Sequence, residues 1–132
     1  MSPKILYRIA SVLLVLFALG HQLAFQNVDP QWKVDSVVTA MKTVRFQVQG
    51  MNRSYWDFFT GFGYFVTVFL LFSAVVAWQL GGLPKDSILS WTFAAAFVVI
   101  AFLSWRNFFI IPLVFSALIA LCLLVAAWSA GR

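Results

Sequence analysis

His21 is the single histidine of the chain, and it lies near the end of an apolar run, Ile5–Phe25, that is long enough to cross a bilayer as a helix. An imidazole inside such a run must have its desolvation offset, and its ring nitrogens can both give and take a proton. It is therefore a candidate general acid/base or a polar anchor for a ligand. The competing reading is structural: a hydrogen bond from His21 to a backbone carbonyl or to Asp57 that ties helices together. Asp57 has two readings of its own. It can orient or stabilise a protonated His21. It also closes the pattern Ser54-Tyr55-Trp56-Asp57, in which a hydroxyl and a carboxylate three residues apart satisfy each other's backbone amides at a helix start. Gln22, Thr60, Tyr64, Ser104, Arg106 and Asn107 are the other polar residues near span ends that could meet a ligand. Gly61 and Gly63 could let one approach the backbone or, more simply, allow close packing against the first helix.

Other chemistries are poorly served. One histidine, four aspartates, no glutamate and the lone Cys122 make no metal-binding set, and haem ligation by two histidines would need a second copy of the chain. Ser54, Ser104 and Thr60 are without the Gly-x-Ser-x-Gly setting of a serine nucleophile. No acidic residue sits deep in a span, which argues against a proton-coupled exporter. The nine basic residues are scattered, so the net charge of +5 reads as span flanks and lipid-headgroup contacts, with no nucleic acid as partner.

The elements that must position these residues follow from hydropathy. With 63% hydrophobic and 10% charged residues, the chain has the composition of a membrane protein, and its 132 residues make one domain. The sequence predicts an all-α four-helix bundle with spans at about 5–25, 55–80, 87–105 and 112–130. Ser2-Pro3 would open the first and Asp86 or Ser87 the third, after a turn at Gly81-Gly82-Leu83-Pro84. Pro112 is placed at the start of the fourth, which leaves Phe108–Ile111 as an apolar connector. Gly63 with Thr67, and Ser116 with Ala120, are spaced for close helix contact. Met1–Gly20 also has the outline of a cleavable signal peptide, with Lys4 and Arg8 before an apolar stretch and Ala18-Leu19-Gly20 at its end; a retained span is the favoured expectation.

Between the first two spans lies the long hydrophilic stretch 26–53. Asp29-Pro30 reads as a helix start there. Val34, Val37, Val38, Met41, Val44 and Val48 recur at helical spacing, so an interfacial amphipathic helix is expected over about 30–48, anchored by Trp32 and stopped by Gly50 and Asn52.

Four spans place the termini and the 81–86 turn on one side, and the 26–53 stretch with Arg106-Asn107 on the other. His21 then lies roughly 6 Å below the long-loop interface, at a depth comparable with Asp57. Basic residues divide four against five between the sides (Lys4, Arg8, Lys85, Arg132; Lys33, Lys42, Arg45, Arg53, Arg106), so charge bias alone fixes no orientation. Lys4 and Arg8 flank the first inserted helix and favour cytoplasmic termini in an inner membrane. The near balance is also compatible with dual insertion and an antiparallel dimer.

Gly20-His21, together with Ser54-Tyr55-Trp56-Asp57-Phe58-Phe59-Thr60-Gly61-Phe62-Gly63, resembles small bacterial four-span proteins of unassigned activity that pair a Gly-His with Trp-Asp-Phe and Gly-Phe motifs. In size and layout the chain is also loosely similar to the DoxX-like group. The motif covers about a dozen residues; the resemblance nominates His21, Asp57, Gly61 and Gly63 and implies no particular reaction or cofactor.

The function expected from the residues is binding of a lipophilic or amphipathic small molecule in a cleft under the 30–48 helix, with His21 and Asp57 at its polar end. Two rivals are an enzyme acting on a lipid, sterol-like or quinone-like substrate with His21 as acid/base, and an accessory subunit of a homo-oligomer or larger membrane complex.

Overall fold

In the long helices of the computed structural model, alanine and serine take many of the inward positions, and most large side chains face outward. Residues 2–83 and 88–130 are described, so the expected third-span start at Asp86 or Ser87, and Pro84, lie outside them. Four helices are long and apolar enough to cross a membrane: α1 (Pro3–Ala24), α3 (Tyr55–Leu80), α4 (Ile88–Asn107) and α5 (Ile110–Ala130). The fold is an all-α bundle, and the chain reads as a multi-pass membrane protein.

Two compact units divide the chain: Met1–Phe17 with Leu70–Arg132, and Ala18–Phe69. In the first, the start of α1, the end of α3, α4 and α5 form the bundle core. Its buried positions include Ala10, Ser11, Ser73, Ala74, Ala77, Ser90, Ala94, Ser116, Ala120, Ala126 and Ala127, with Leu6, Tyr7, Leu14, Leu70, Leu80, Phe97, Ile119 and Leu123 as the larger fillers. Phe72, Phe102, Trp105 and Leu121 point outward. In water this would be inverted. In lipid the tails are as apolar as leucine, so helices associate through close backbone approach and van der Waals contact, which small residues permit. Ser116 and Ala120 sit in this interior as their spacing predicted, and Ser11 Oγ donates across to the Ala74 carbonyl at 2.8 Å. Phe17 stacks on Phe115, with centroids 5.2 Å apart.

Helix ends follow local chemistry. Pro3 opens α1, where its missing N–H is no loss, and the Ser2 carbonyl accepts from Ile5 N. The turn at 81–83 begins where expected, with Gly82 N donating to the Gln79 carbonyl. The fourth long helix starts at Ile110, two residues before the proline expected to open it. Pro112 still falls in the first turn, whose amides have no intrahelical acceptor, so it disrupts nothing. The connector shrinks accordingly to Phe108 and Phe109.

The second unit differs most from expectation. The single amphipathic helix over 30–48 is replaced by three short elements: a 3-10 turn at Pro30–Trp32, helix α2 (Asp35–Thr43), and the hairpin β1 (Arg45–Val48) with β2 (Met51–Ser54). Asp29 caps the first of these as read, its Oδ1 accepting from Gln31 N at 2.9 Å. On α2, Val34, Val38 and Met41 form the half-buried stripe, while Val37 is exposed. From Val44 the backbone is extended and the burial alternates, with Phe46 and Val48 inward and Arg45 and Gln47 outward. That period of two outcompetes the helical one wherever β-branched and aromatic residues meet a turn that can reverse the strand. Gln49 (φ 49°) and Gly50 (φ 82°) supply it: two positive-φ residues between Val48 and Met51 make the type I′ hairpin loop. Gly50 thus turns a hairpin where a helix stop was expected, and Asn52 pairs with Gln47 within it.

Candidate functional site

The hairpin ends on Ser54, which is 1% exposed and is also the residue before α3. Ser54 N donates to Asp57 Oδ2 at 2.8 Å, and Asp57 N donates to Ser54 Oγ at 3.2 Å, so the reciprocal cap read from the spacing is formed. Arg45, paired with Ser54 across the hairpin, reaches the same Oδ2 at 3.4 Å. Asp57 therefore locks strand to helix. Of the two readings of Asp57, the geometry is that of the cap: the carboxylate is held by a backbone amide and a guanidinium of its own neighbourhood. Thr60 is likewise turned inward on its helix, donating to the Trp56 carbonyl at 2.9 Å. Lys42 Nζ lies 4.3 Å from the Trp56 ring centroid, a cation–π contact that ties α2 to the α3 start.

His21 finds its partner two turns further along α3. Its Nε2 lies 3.0 Å from the Gly63 carbonyl oxygen. A carbonyl only accepts, so Nε2 carries the proton and, in the neutral ring, the lone pair belongs to Nδ1. Nδ1 has no hydrogen-bond partner among the described residues. Two further links run beside this one: Thr67 Oγ1 donates to Gln22 Oε1 at 3.0 Å, and Gln26 Nε2 donates to the Tyr64 hydroxyl at 2.8 Å. Three polar bridges thus join the end of α1 to α3. Interhelical hydrogen bonds in a bilayer contribute about 0.6–2 kcal/mol each, so this seam stabilises the helix pair as well as presenting chemistry.

One aromatic ring lies on the imidazole, and others pack around that ring. Phe25 stacks on His21 with centroids 5.0 Å apart, meets Tyr64 edge-on at 5.5 Å and lies 6.2 Å from Phe59, which in turn packs on Trp56. Gly63 makes this possible: a Cβ there would stand 2.2 Å from Cε2 of Phe25. Gly61 has nothing within 4 Å of its would-be Cβ, so it plays no such part. Of the two glycines, the close-packing explanation holds for Gly63 alone.

No protein-family model matches the chain, and neither a characterised protein nor a solved structure is detectably similar to it. Its chemistry has to be read from the geometry.

His21, Gln22 and Tyr64 are brought together in the Ala18–Phe69 unit, with Thr60 and Asp57 about one and two turns nearer the hairpin than Tyr64 on α3. Ser104, Arg106 and Asn107 belong to the other unit, at the end of α4. Ser104 is 5% exposed, Arg106 points outward, and Asn107 Nδ2 donates to the Leu103 carbonyl at 2.9 Å. Phe25 and Gln26 are site residues that sequence reasoning passed over, and Thr67 was read there only as a packing partner of Gly63. The one signal for them was their spacing of three to five residues from His21 or Gly63. No group of three metal-ligating side chains occurs among the described residues.

Proposed function

We propose that the chain binds a lipophilic or amphipathic small molecule at its long-loop face, with His21 as the polar anchor and Phe25, Phe59 and Tyr64 as the apolar enclosure. The supporting observation is the unshared Nδ1 of a half-buried imidazole whose other nitrogen is committed to Gly63. In the neutral ring, Nδ1 accepts a hydrogen bond, which favours a ligand that offers a hydroxyl at this depth, as a sterol-like or quinol-like molecule does. Asp57 contributes by holding the hairpin over the start of α3. The protein belongs to the inner membrane in this reading, with cytoplasmic termini set by Lys4 and Arg8 flanking the first span. Arg106 and Asn107 then share the long-loop side.

The test is thermal unfolding in mild detergent with and without host lipid extract, with mass spectrometry of whatever co-purifies. A ligand at about 100 times its Kd stabilises by about 2.7 kcal/mol. That gain is expected in the wild type and lost in His21→Ala. His21→Gln, which keeps an N–H for Gly63 but has no titratable nitrogen, separates anchoring from helix pairing: it should keep the basal stability and lose most of the gain. An equal gain in all three proteins would refute the proposal. Turnover of a lipid pool with a pH profile that disappears in His21→Gln would instead favour the acid/base reading, to which the same lone pair is suited.

A further inference from the structure

Arg8 lies on α1, five residues and about 7.5 Å inward from Pro3, in the unit that does not contain His21. Its guanidinium is stacked on Trp78, with Cζ 3.1 Å from the ring centroid. The stack fixes the plane of the group but satisfies none of the N–H bonds at its edge. Nη1 is shut off from solvent and has no hydrogen-bond partner among the described residues, so this is not a side chain reaching freely into water.

Among the described residues of the unit there is no carboxylate to balance the charge. Asp29, Asp35 and Asp57 all belong to Ala18–Phe69, and Asp86 lies outside the described residues. Lys4 precedes Arg8 by four residues and so lies on the same helix face, where two cations repel unless an anion sits between them. A guanidinium stays charged at any physiological pH, and leaving it unpaired at membrane depth costs several kcal/mol. Beside it runs a shallow groove of about 330 Å³ lined by Ile5, Ile9, Val12, Leu13 and Arg8 itself.

We propose that Arg8, Lys4 and Trp78 form a binding site for an anionic phospholipid, with the phosphate on the guanidinium edge and an acyl chain along the aliphatic groove. Charge complementarity selects the occupant. The head must be rich in acceptors and carry net negative charge, because a zwitterionic lipid brings its own cation to its phosphate. The groove requires that the same molecule have an apolar tail, which a free anion does not.

The full chain is reconstituted in nanodiscs of phosphatidylcholine alone or with phosphatidylglycerol, and retained lipid is measured by native mass spectrometry after release into detergent. Wild type is expected to retain phosphatidylglycerol over phosphatidylcholine by roughly tenfold, the scale of one charge-assisted hydrogen-bonded contact. Arg8→Gln should abolish the preference. Arg8→Lys, which keeps the charge and guards against misfolding of the neutral variant, should reduce it because an ammonium offers no planar fork. His21→Ala should leave it unchanged, which separates this site from the one at the long-loop face. Equal retention of the two lipids by wild type would overturn the proposal, as would a preference that survives both Arg8 variants. Stabilisation of the detergent-solubilised protein by inorganic phosphate alone, matching that from phosphatidylglycerol, would also overturn it, by showing a free-anion site.

Discussion

Gly63→Ala is expected to destabilise the protein by about 1–3 kcal/mol, the usual cost of overpacking. Gly61→Ala, two residues earlier on the same helix, is expected to be neutral or to stabilise by up to about 1 kcal/mol. The opposite signs follow from what each new methyl would meet. At Gly63 it would stand 2.2 Å from the Phe25 ring, and Phe25 cannot retreat without giving up its stack on His21 and its edge contact with Tyr64. At Gly61 it meets open space and only lowers the backbone entropy of the unfolded chain. Denaturant or thermal unfolding in detergent checks both. A second arm identifies the cause: Phe25→Ala in the Gly63→Ala background should recover part of the loss, because the clash is with that ring. Equal effects of the two glycine substitutions would contradict the packing derived for the site.

Phe97→Ala is expected to cost about 2–4 kcal/mol, against less than about 0.5 kcal/mol for Phe102→Ala on the same helix. Phe97 is fully buried in the bundle interior and meets Phe93 edge-on at 5.2 Å, while Phe102 is 58% exposed. In water, truncating a buried phenylalanine loses both transfer free energy and packing. A helix embedded in lipid forfeits little transfer energy, so what remains is the cavity, at about 24 cal/mol per Å³ of unfilled volume. The same difference in denaturation midpoint, measured in lipid nanodiscs, distinguishes a core built by shape from one built by dehydration. A loss at Phe102 equal to that at Phe97 would mean that the outward face is covered by protein.

The four long helices were legible because each is a sustained apolar run between short polar breaks. The cap at Ser54 and Asp57 was legible because its geometry is confined to four consecutive residues. The hairpin was not. Val34, Val38 and Met41 obey the helical period up to the point where Phe46 and Val48 obey the alternating one, and a valine series satisfies both until a turn decides. Gln49-Gly50 was that turn, and it was read as the end of a helix because glycine suits either role. For His21 the sequence offered two partners, a backbone carbonyl or Asp57, and could not say which carbonyl. Residue types advertise charge pairs, so Asp57 drew attention, whereas the group that accepts from His21 is a backbone carbonyl, which every residue possesses. Gly63 can hold a neighbour that close because it lacks a side chain, and that absence was the one trace in the sequence. The Arg8–Trp78 contact joins residues 70 positions apart in the chain, beyond the reach of any periodicity.

The division of labour now proposed for the long-loop end differs from the one expected. Asp57 and Arg45 fix the hairpin to α3, and Gln22, Thr67, Gln26 and Tyr64 bind α1 to α3. His21 is left with one nitrogen uncommitted. A site assembled in this way keeps its polar anchor in place without a ligand, as pre-organised binding requires.

All of this depends on four membrane crossings, which bring residues 27 and 107 to the same side of the bilayer. Single cysteines introduced as Asn27→Cys and Asn107→Cys in a Cys122→Ser background, and labelled in intact cells with a membrane-impermeant maleimide, test it most directly. Both positions are expected to react from the same compartment, or both only after permeabilisation. Labelling of one from outside and the other only from inside would contradict the account.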